Sequence, residues 1–101
     1  MALVLSVEKG GCIYVGKHNP TKIVVEQVMS AQRFKLRVVG PAMDTLYTIT
    51  NRFTVPILPR VNVSAGKGTS VIAKLNIEAP RSIYIIRGDL TEEEVGSGEG
   101  G

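Results

Sequence analysis

The sequence predicts an all-β protein: a small antiparallel β-sheet or barrel-like domain of about seven or eight short strands. Two observations carry this. Val, Ile and Thr dominate the apolar and semi-apolar positions, and β-branched side chains fit a pleated surface better than a helix. Apolar and polar residues alternate with a period of two, most strictly in Phe34-Lys35-Leu36-Arg37-Val38, which places one set of side chains on each face of a sheet.

Taken in order, residues 2–7 and 12–16 are predicted to pair as a hairpin around Lys9-Gly10-Gly11, whose glycines can supply the positive backbone angles of a tight turn. Lys22 to Val28 and Arg33 to Val39 follow as two strands separated by Met29-Ser30-Ala31-Gln32. A short helix over 24–33 is the competing reading, because Val24, Val25, Val28 and Met29 form one stripe at helical spacing. The β-branched content favours strands there.

Gly40-Pro41 interrupts the pattern, and Leu46 to Thr50 resumes it. Pro56 and Pro59 flank Ile57-Leu58 in an extended connection or edge segment, since proline has no N–H for a central ladder. Val61-Asn62-Val63 and Ser70 to Ile77 are expected to pair across Ala65-Gly66-Lys67-Gly68-Thr69, and a final strand spans 82–87. Residues 91–101 have the Gly, Ser and Glu composition of a disordered acidic tail, which leaves 1–90 as a single β-rich domain. Phe34 to Pro41 followed by Leu46 to Ile49 also echoes Ala73 to Pro80 followed by Ile83 to Ile86: an alternating strand, a small-residue-Pro turn, and a strand carrying a tyrosine.

With 101 residues the core is adequate but not generous, so stability shared with a second subunit is expected. No apolar run approaches the roughly 20 residues needed to cross a bilayer, and Met1-Ala2-Leu3-Val4 lacks the basic region of a secretory signal. No membrane partner is expected, and the chain reads as soluble and cytoplasmic, or as located in the host cytoplasm or virion if its source is viral. Cys12 is the only cysteine, which excludes an intrachain disulfide and a cysteine metal cage; it reads as a small buried hydrophobe. The single His18 lies in a turn sequence without companions for catalysis or metal binding. Gly66-Lys67-Gly68-Thr69-Ser70 lacks the spacing of a phosphate loop. No enzyme and no cofactor is expected.

Five of the nine acids (Asp89, Glu92, Glu93, Glu94 and Glu99) fall in the last thirteen residues. Residues 1–88 therefore carry 12 basic and 4 acidic groups, a balance of +8. One reading is a nucleic-acid-binding face opposed by an acidic tail; the other is lysines and arginines on the wet faces of strands.

The two ends of the chain carry a more specific pattern. Leu3-Val4-Leu5-Ser6, Gly10-Gly11 and Cys12-Ile13-Tyr14-Val15-Gly16 stand at one end; Glu78-Ala79-Pro80, Ile83-Tyr84-Ile85-Ile86-Arg87 and Gly88-Asp89-Leu90 stand at the other. Together they resemble the small RNA-binding regulators of the carbon storage regulator (Csr/Rsm) family, with residues 17–60 as an insertion. The resemblance implies a homodimer or higher homo-oligomer whose first and last strands grip a single-stranded GGA-type loop in an mRNA leader and block translation. It places Arg87 at the family's last-strand arginine, with Ile85 on the same face, Leu5 in the first strand, and Lys9 and Arg81 as further contacts with RNA. The alternative reading of Arg87 is a surface arginine paired with Asp89 or the tail. The two positions after Ser6, basic in the family, are Val7 and Glu8 here, and Glu8 repels phosphate. Those two residues and the long insertion favour a second function class, a non-catalytic structural or assembly protein such as a viral coat or decoration subunit.

Overall fold

Burial alternates residue by residue along most of the chain, and each alternation marks a strand with one face turned into a common core. The computed structural model describes residues 2–88. Among them are nine strands and no helix: β1 (Ala2–Glu8), β2 (Cys12–Val15), β3 (Thr21–Ser30), β4 (Arg33–Gly40), β5 (Met43–Thr50), β6 (Val55–Leu58), β7 (Val61–Ala65), β8 (Ile72–Glu78) and β9 (Ile85–Arg87). The all-β antiparallel class is as expected, with nine strands in two sheets. A four-stranded sheet has the order β1-β8-β7-β6, and a five-stranded sheet the order β5-β4-β3-β2-β9.

The inner faces meet in one apolar cluster. Val7, Val61, Val63, Ala73, Leu75 and Ile77 come from the four-stranded sheet; Ile13, Ile23, Val25, Phe34, Leu36, Val38 and Ile49 come from the five-stranded one. The strictly alternating Phe34 to Val38 segment behaves as its sequence requires: Phe34, Leu36 and Val38 are fully buried, and Arg33, Lys35 and Arg37 lie on the opposite face.

Several expectations are corrected. The N-terminal hairpin does not form, because β1 pairs with β8 (Ser6 opposite Lys74, Glu8 opposite Ile72) while β2 pairs with β3 and β9. Lys9-Gly10 instead carries the chain from one sheet to the other, with Gly10 at φ 85°. The Val24 to Met29 stripe is β3, whose helical look comes from two register shifts, between Val25 and Gln27 and between Val28 and Ser30. The last strand starts at Ile85, because Ile83 N–H donates to the Pro80 carbonyl in a turn that occupies the preceding residues.

The internal echo is not repeated in space. Gly40 lies opposite Met43 across a tight β4–β5 turn within one sheet, whereas the Ala79-Pro80 connection leaves one sheet and enters the other. Pro56 sits on β6, an edge strand, as a residue without an N–H must. Residues 17–60 supply β3 to β6, so the stretch that short Csr-like proteins lack forms most of the five-stranded sheet. The acidic tail at 91–101 lies outside the described residues.

Candidate nucleic-acid interface

β1 is the outermost strand of one sheet and β9 the outermost strand of the other, and they flank the same side of the molecule. Between them lies a cleft of about 410 Å³ lined by Ser6, Val7, Glu8, Gly11, Cys12, Ile72 and Arg87. The two terminal segments that carry the family resemblance thus come together within one chain, across a gap between sheets.

The turn after β1 fixes the floor of this cleft. Gly11 N–H donates back to the Glu8 carbonyl at 2.8 Å, closing the turn. Gly10 N–H donates to the Val25 carbonyl at 2.8 Å and Val25 N–H to the Gly11 carbonyl at 2.9 Å, which ties the turn to β3. Lys9 N–H donates to the Val71 carbonyl at 3.3 Å, which ties it to the four-stranded sheet. Glu8 and Lys9 therefore stand on a turn bonded to both sheets.

Arg87 is half-buried in β9 opposite Ile13, and Gly88 N–H donates to the Cys12 carbonyl at 2.6 Å, holding the end of β9 to β2. Ile85, opposite Val15, and Leu5, opposite Leu75, are partly buried and pack against the core. They set the position of the two edge strands rather than presenting a broad surface. Lys9 is exposed beside the cleft. Arg81 is exposed in the turn after β8, at the opposite end of the sandwich. The structure thus groups Arg87 and Lys9 with Glu8, and separates Arg81 from them.

Cys12, read from the sequence as a small buried hydrophobe, is half-buried and lines the cleft. Ile72 is a cleft residue that sequence reasoning did not single out, because it reaches the site only through the β1–β8 pairing. His18 is exposed in its turn. The Gly66 to Ser70 loop joins β7 and β8, and Thr69 Oγ1 accepts from Val71 N–H at 3.2 Å and Ile72 N–H at 3.0 Å. Among the described residues no group of His, Cys, Asp and Glu is placed to hold a metal ion.

The charge balance sharpens on folding. Arg37 bonds both Glu26 and, at 2.8 Å, Asp44; these hydrogen bonds, Glu26 first, hold its guanidinium above its ordinary pKa and charged throughout the working pH range. Two of the four body acids are engaged in this one cluster, so the other eleven basic residues of 1–88 stand against Glu8 and Glu78.

No family model matches the chain, and comparison with curated proteins and with solved structures finds no significant match. The likeness to Csr-like regulators therefore rests on the residues quoted above.

Proposed function

We propose that this chain is a divergent Csr-like RNA-binding regulator that takes a single-stranded GGA-type loop of an mRNA leader at the β1–β9 edge and so blocks translation. The observation that carries the reading is the convergence of the two resembling segments on one cleft, with Arg87 on its wall. An edge strand offers main-chain groups to an unpaired base, and an arginine fork offers bidentate bonding to phosphate or base edge. The positive body supplies the long-range attraction.

Fluorescence anisotropy with a short RNA hairpin carrying an ANGGA loop, at two salt concentrations, tests this. Sub-micromolar binding that depends on the loop sequence is expected, and Arg87→Ala is expected to weaken it by about 1–3 kcal/mol, roughly 5- to 150-fold. Binding indifferent both to loop sequence and to Arg87 would rule the reading out. Glu8 lies on the same cleft and opposes phosphate, so Glu8→Arg is expected to tighten binding of the same hairpin; unchanged affinity would mean that the RNA backbone does not pass the end of β1.

Glu8 beside Arg87 is also the observation that favours a second reading, a structural or assembly subunit. In that reading the β1 edge pairs with a second copy of the chain, and light scattering would find a homo-oligomer without RNA affinity.

A further inference from the structure

The chain has two phenylalanines with opposite fates: Phe34 is 0% exposed, and Phe53 is 71% exposed. Phe53 lies in the connection from β5 to β6, which runs from one sheet to the other at the end of the sandwich that also carries the β3–β4 turn and the β7–β8 loop. Three links establish this grouping. Arg33 lies opposite Thr50 at the end of the β4–β5 ladder. Arg52 N–H donates to Thr50 Oγ1 at 3.3 Å. Gly68 N–H donates to the Ala31 carbonyl at 2.8 Å, which brings Lys67 beside the β3–β4 turn.

Arg33, Arg52 and Lys67 are all exposed, and Lys35 lies one row behind Arg33 on the same face, about 7 Å along the strand. From Gln27 to Ile77 the chain holds seven basic residues and one acid, Asp44, and Asp44 is bonded to Arg37. An exposed phenyl ring at an end of the sandwich that also exposes Arg33, Arg52 and Lys67 has the chemistry of a stacking platform for unpaired bases. The ring takes a base face and the cations take the flanking phosphates. A polypeptide partner would have to match cations with acids and the ring with a pocket; a single strand supplies both features at every nucleotide.

We propose that this end of the sandwich is a second RNA contact, in which Phe53 stacks on a base of a single strand while Arg33, Arg52 and Lys67 hold adjacent phosphates. It rests on the RNA-binding reading and extends it: residues 29–54, within the insertion, supply most of the surface, so the insertion prolongs the RNA track beyond the loop held at the cleft.

The test uses the full chain and a fluorescein-labelled 20-nucleotide oligo(U), which lacks GGA, beside a duplex of equal length. Phe53→Ala is expected to weaken oligo(U) binding about tenfold, and Phe53→Trp to retain it, with the thermal midpoint unchanged in both. Arg52→Ala and Lys67→Ala are each expected to reduce the steepness of the log–log salt dependence by about 0.7. Equal binding by wild type and Phe53→Ala, or duplex bound as tightly as oligo(U), would overturn the proposal and leave the ring to a protein partner. Loss of hairpin binding in Arg87→Ala with oligo(U) unaffected by Phe53→Ala would keep the cleft and remove the platform. Phe53-dependent oligo(U) binding with no loop preference would keep the platform and remove the cleft.

Discussion

Phe34→Ala is expected to destabilise the protein by about 3–5 kcal/mol. The ring is the largest fully buried side chain, set in β4 between Val28 of β3 and Ile49 of β5, where its removal leaves a void beneath the β3–β4 turn end of the five-stranded sheet. A backbone laddered on both sides cannot close over such a void, so a cavity cost adds to the lost transfer energy. A domain of this size has roughly 5–15 kcal/mol in total, so the variant approaches the limit of folding. Urea denaturation should show a lower midpoint with an unchanged slope. The exposed Phe53 provides the control: its replacement by Ala should stay within about 0.5 kcal/mol of wild type. A loss below about 1 kcal/mol for Phe34→Ala would mean that the core is not packed as described.

Gly88→Ala is expected to detach the end of β9 and, under the proposed RNA-binding role, to weaken hairpin binding about as much as Arg87→Ala. A Cβ at position 88 would run into Cys12 Sγ and would stand 2.9 Å from the Cys12 carbonyl oxygen. One of these neighbours is backbone and cannot rotate away, so the end of β9 must lift from β2 at a cost of about 1–3 kcal/mol. β9 is three residues long and pairs with β2 alone. Hydrogen exchange at Ile86 and at position 88, whose N–H groups face β2, should accelerate while β3 and β4 remain protected, which separates strand release from global unfolding. Cys12→Ala in the same chain removes the sulfur and leaves the carbonyl, so it should restore affinity only in part. Native exchange rates in Gly88→Ala would show that the contact yields without moving the strand.

The strands that proved legible are those whose partners are near in sequence. Alternation over Arg33 to Val39 and the small turns around Ala31-Gln32 and Pro41-Ala42 define β3, β4 and β5 locally, and Pro56 marks an edge by its missing donor. The Lys9-Gly10-Gly11 turn was misleading because two glycines permit a hairpin without requiring one. Leu3, Leu5 and Val7 have a period of two in either pairing, and what selects β8 is a segment some seventy residues away. The same non-locality governs the site. Arg87 and Glu8 could be singled out from the pattern at the chain ends, whereas Ile72 joins them only through the β1–β8 register. Phe53 has no periodic neighbours, so its position on the outside had no signal in the surrounding sequence.

The pairing of β1 with β8 also imposes an order of events on the growing chain. The meander β3–β4–β5 closes through short turns, and hairpins of that kind form in about 1–10 μs. β1 leaves the ribosome first, and its partner residues 72–78 emerge about seventy residues later, a delay on the order of ten seconds at about 5–20 residues per second. Throughout that interval Leu3, Val4, Leu5 and Val7 form a nascent strand with no complement of its own. On a polysome, where neighbouring chains expose the same segment, co-translational crowding is the circumstance in which this protein is expected to be most vulnerable to misassembly.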